Sequence, residues 1–111
     1  MDKSNKRALS MMRDIIINYL DGMCDKKDTV SNLFYSIDLN VIHCTNSVFM
    51  VTDCYYTIKH LTEAGYETPD YELAYFRDCI DGVREYNPDT KFEVLREYYQ
   101  DGCAANKEGV K

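Results

Sequence analysis

The chain has 111 residues, room for one domain and one modest core without covalent staples. Its 13 basic residues are outnumbered by 19 acidic ones, and a net charge of -6 excludes the clustered lysines and arginines that a phosphate backbone requires. No apolar run approaches the ~20 residues of a membrane span.

The charged start, with Lys3, Lys6 and Arg7, leads into no signal-peptide core, because Ile15, Ile16 and Ile17 are bracketed by Asp14 and Asn18. A soluble cytoplasmic protein is expected. Cys24, Cys44, Cys54, Cys79 and Cys103 are odd in number and contain no Cys-x-x-Cys pair. Free thiols in a reducing compartment fit that usage better than a disulfide scaffold.

The first predicted helix covers about 4–21, with Leu9, Met12, Ile16 and Leu20 at helical spacing, and stops at Gly22. The second starts from Asp25 as N-cap and turns Val30, Leu33, Phe34 and Ile37 inward before ending near Asp38. Residues 39–45 read equally as loop, extended chain or helix start. The third helix covers about 46–64, with Val48, Val51, Cys54, Tyr55, Ile58 and Leu61 inward and a stop at Gly65. Thr68-Pro69-Asp70 reads as N-cap, first-position proline and first-turn acid, opening a fourth helix with Leu73, Phe76 and Ile80 inward. Asn87-Pro88-Asp89 repeats that signature for a fifth, with Phe92, Leu95 and Tyr99 inward and an end near Gly102. No alternating strand pattern competes. The expected fold is all-α, a compact antiparallel bundle of four to five helices over 1–102, with a flexible tail at 103–111.

Catalytic and metal-binding patterns are weak. His43, Cys44, Cys54 and His60 lack the tight pairs of a zinc site. His60 and Glu63 reverse the Glu-x-x-His order of a di-iron bundle, and the pattern occurs once. Asp89, Glu93 and Glu97 recur every fourth residue beside Lys91 and Arg96, as a solvated helix face does. There is no phosphate loop, dinucleotide fingerprint or nucleophile elbow, and Cys44 beside His43 is the one local thiol–base pair. No catalytic residue, metal or cofactor is expected.

Tyrosine is over-represented, with 10 copies and no tryptophan. At ~100° per residue, Tyr71, Tyr75 and Asp78 fall opposite the inward set of the fourth helix. Asp53, Tyr56 and Glu63 fall opposite that of the third, and Tyr35 points away from Val30 and Leu33. With Asp81, these eight residues form the expected partner-binding surface, since rigid aromatics among charges are typical binding anchors. The alternative is a helix covered on two sides, which would bury Phe49, Tyr56, Tyr71 and Tyr75.

Three segments carry a family resemblance: IINYLDG at 16–22 with the following Leu33-Phe34, Asp53-Cys54-Tyr55-Tyr56, and ELAYFRDCIDGVREY at 72–86. In these the chain resembles the small helical immunity proteins of bacterial toxin systems, of the colicin and contact-dependent inhibition types. It departs from them in spreading its acids out. The resemblance implies a non-catalytic inhibitor that binds a cognate toxin domain, here a basic one, as a monomer or weak homodimer, without touching nucleic acid or membrane. A competing expectation is a regulatory or anti-defence adaptor of a phage or mobile element, whose acidic surface engages a nucleic-acid-handling protein. A third is a small helical enzyme or metal-binding protein.

Overall fold

The computed structural model describes residues 3–38, 40 and 48–110, with side chains through residue 100. Helices α1 (Lys3–Leu20), α2 (Lys26–Ser36), α3 (Phe49–Lys59), α4 (Asp70–Ile80) and α5 (Lys91–Val110) follow in order, with a 3-10 turn at His60–Thr62 after α3. The all-α bundle is thus established for these residues, and no helix among them is long and apolar enough to cross a membrane. The ambiguous stretch 39–45 and the His43–Cys44 pair lie outside the described residues, Asn40 excepted.

Helix α1 is the hub. Ala8, Leu9, Met12, Ile15 and Ile16 recur at three- and four-residue steps and are buried, and the helix packs against α4, α2 and α3. The core is completed by Val30, Leu33 and Ile37 from α2 and its end, Val51, Cys54, Tyr55 and Ile58 from α3, and Leu61 from the 3-10 turn. Leu73, Tyr75 and Phe76 on α4 and Leu95 on α5 close it.

The helix ends follow local chemistry. Asp25 Oδ1 accepts from the Asp28 amide at 2.8 Å, as an N-cap should. Gly22 and Gly82 take φ of 81° and 80° and close matching C-terminal motifs. At the second, the Val83 amide donates to the Asp78 carbonyl at 2.9 Å and the Gly82 amide to that of Cys79 at 3.2 Å. A Cβ at Gly82 would meet nothing within 4 Å, so only the left-handed backbone opposes a side chain. Gly82→Ala is therefore expected to cost about 1 kcal/mol in denaturant unfolding.

Several expectations are corrected. Thr68 does not cap α4: its hydroxyl donates to the Thr57 carbonyl at 2.5 Å, and Pro69 holds the cap position. Asn87 caps the turn before α5, its side chain accepting from the Asp89 amide at 2.9 Å. Helix α5 does not stop at Gly102 but continues to Val110, with Ala104, Ala105, Lys107 and Glu108 the good helix formers beyond that glycine. Phe34, Phe92 and Tyr99, expected inward, are exposed. The inward face of α5 is instead Lys91, Leu95 and the half-buried Val94 and Tyr98.

Candidate functional site

Helix α4 lies between α1 and α5, so two of its faces are covered. That is why Tyr75, expected outward, is only 1% exposed. Its ring meets Phe76 at 5.4 Å, and Tyr86 and Tyr98 at 6.2 Å each. Tyr86 also stacks on Phe76 at 5.8 Å. Much of the tyrosine excess thus builds an internal aromatic layer, and among the ten only Tyr35, Tyr66 and Tyr99 stand exposed.

Two of the expected binding acids are drawn into this layer. Asp53 accepts from Lys91 Nζ at 2.9 and 3.1 Å and from the Tyr86 hydroxyl at 2.7 Å. Lys91 reaches Glu72 at 2.8 Å as well and lies 4.8 Å from the Phe76 ring centre. It is 7% exposed, so it is no partner of the outer α5 acids. Burial disfavours its charge, but the hydrogen bonds it donates to Glu72 and Asp53 outweigh that and raise its pKa. Asp78 accepts from the Tyr98 hydroxyl and from Arg77 Nε. Tyr98, half-buried and bonded to that carboxylate, has its pKa raised to about 12, while Arg84 lies 5.0 Å from its ring centre. Asp81 is exposed but bound by the Arg13 guanidinium, which lowers its pKa. Within this cluster Lys91 is held protonated, and burial pushes up the pKa of the Cys54 thiol.

The remaining expected residues separate. Tyr35, 94% exposed, and the half-buried Tyr56 line one open groove with Phe34, Tyr55 and Lys59. Tyr71 lies in another, its ring edge-on to Tyr99 at 5.6 Å. Glu63 is exposed just after the 3-10 turn. The eight residues therefore form no single surface.

Charge offers a different division. Residues 1–59 hold seven acids and seven bases, whereas 60–97 hold ten acids and four bases, a surplus equal to the whole net charge of -6. Within 60–97, eight of the ten acids are exposed (Glu63, Glu67, Asp70, Asp81, Glu85, Asp89, Glu93 and Glu97), against Arg96 alone among the bases. The chain looks acid-dispersed when read linearly, but folding hides or pairs three of the four bases in 60–97: Arg77, Arg84 and Lys91. Among the described residues no group of three His, Cys, Asp or Glu side chains is placed to hold a metal ion. Comparison with known protein families, with curated proteins and with solved structures finds no match.

Proposed function

We propose that the chain is a non-catalytic inhibitor of the immunity type, acting in the cytoplasm by binding a basic toxin domain through its α4–α5 half. The observation that carries this reading is the confinement of the net negative charge to 60–97, with eight carboxylates exposed there. A one-signed surface raises the encounter rate with an oppositely charged protein and repels nucleic acid and anionic lipid. The exposed aromatics Tyr66, Phe92 and Tyr99 in the same half supply the contact area that charge alone does not. The resemblance to toxin-neutralising proteins supplies the kind of partner.

Asp53 and Asp78 are unsuitable for testing this, because their reversal would break internal contacts. Asp89, Glu93 and Glu97 are exposed and can be reversed without touching the core. The test is co-expression with the product of the adjacent gene. That product should arrest growth alone and be tolerated beside the wild-type chain, and protection should fall by an order of magnitude or more in the Asp89→Lys/Glu93→Lys/Glu97→Lys variant. A harmless neighbour, or full protection by that variant, contradicts the reading.

A further inference from the structure

We infer that the groove where the first turn of α4 meets α5 seats an apolar side chain flanked by lysine or arginine in the partner. The inference rests on the binding function proposed above and locates its anchor. Pro69, Tyr71, Phe92, Leu95 and Tyr99 line this groove of about 450 Å³. Phe92 is 77% exposed and Tyr99 52%, although both sit on a helix that spends Lys91 and Leu95 on the core. Tyr71 and Tyr99 already meet edge to face, so the aromatic wall is ordered before any ligand arrives. Glu72 cannot serve a ligand directly, because Lys91 holds it.

The charges beside the groove select the occupant. Asp70 opens α4 next to Tyr71 and accepts from the Tyr19 hydroxyl at 3.0 Å, Asp89 lies in the turn before α5, and Glu93 follows Phe92 on that helix; all three lie close to lining residues in the chain and are exposed, and Arg96 is the one base in the lining. An apolar floor inside a charged rim is the usual anatomy of a binding hot spot. Phosphate and anionic lipid would meet like charge here, and so would a second copy of this chain bringing the same rim. A cationic segment with one large apolar side chain meets opposite charge around an apolar floor.

The experiment is an amide NMR titration of the full chain with two short peptides of equal positive charge, one of lysine and leucine, the other of lysine and serine. The lysine–leucine peptide should shift amides at 70–72 and 91–99 and bind about tenfold more tightly, as burial of a leucine side chain allows. Phe92→Ser should remove that tenfold advantage with the spectrum otherwise intact, whereas Tyr35→Ser should leave it unchanged. Equal affinity for the two peptides, or shifts centred on Phe34 and Tyr35, would overturn the seat and leave the acidic binding surface standing. Failure of both peptides to bind overturns the seat and the proposed function together. Concentration-dependent shifts at Phe92 without peptide overturn the seat in favour of self-association.

Discussion

Replacing Lys91 with methionine should destabilise the protein by about 3 kcal/mol, because two carboxylates then remain beside an apolar ring with no counter-charge. Lys91 joins three helices: its ammonium reaches Asp53 on α3 and Glu72 on α4 from the first residue of α5. The methionine stem fits the space over Phe76, so the loss is electrostatic and not a cavity. Hence Lys91→Met combined with Asp53→Asn and Glu72→Gln should recover much of the stability lost in the single variant. Urea unfolding followed by circular dichroism decides this. A triple variant as unstable as the sum of its parts would show that the three groups act independently and not as one paired unit.

Alkaline pH should unfold the chain cooperatively. Tyr19 and Tyr75 have their pKa raised to about 12, Tyr98 likewise, and Tyr86 further in the same direction, by burial first and, for Tyr19, Tyr86 and Tyr98, by a hydrogen bond to a carboxylate. A tyrosine whose folded pKa lies above its unfolded value of 10.0 holds its proton in the folded state after the unfolded chain has lost it. The associated stability is complete below pH 10 and is lost as pH climbs toward the folded pKa, at ~1.4 kcal/mol per pH unit for each such group. Four tyrosines acting together erode stability steeply between pH 10 and 12, and Lys91, whose pKa is also raised, adds to the loss above its own unfolded value. The tyrosinate absorbance of these four should therefore appear in one step together with loss of helical signal. Gradual titration centred at pH 10 with the helices intact would contradict the buried aromatic layer.

Helix existence was legible in the sequence because α1 to α4 carry local signals: Asp25 as a cap, Gly22 and Gly82 as stops, and apolar residues at helical steps. What each face does was less legible, because that depends on how many neighbours a helix has. A single inward arc serves α1 but fails for α4, which is covered on both sides and buries Tyr75 as well as Leu73 and Phe76. On α5 the stripe Phe92, Leu95 and Tyr99 looks more apolar than Lys91, Leu95 and Tyr98. Yet the second stripe packs inward, because Asp53, 38 residues away, neutralises the lysine. A long-range ion pair leaves no periodic trace. The acidic half was hidden for a related reason: its surplus emerges only once 60–97 is counted apart from the neutral first 59 residues and Lys91 is removed from the surface.

Capture of partners from the source organism's lysate with two immobilised baits, the wild-type chain and its Asp89→Lys/Glu93→Lys/Glu97→Lys variant, tests the acidic α4–α5 surface most directly. The wild-type bait should retain one stoichiometric basic protein at ~0.1 M salt and lose most of it at ~0.5 M, as screening of exposed charges requires, and the variant should retain none. Equal capture by the two baits, or capture indifferent to salt, would contradict an electrostatic interface on this half of the molecule.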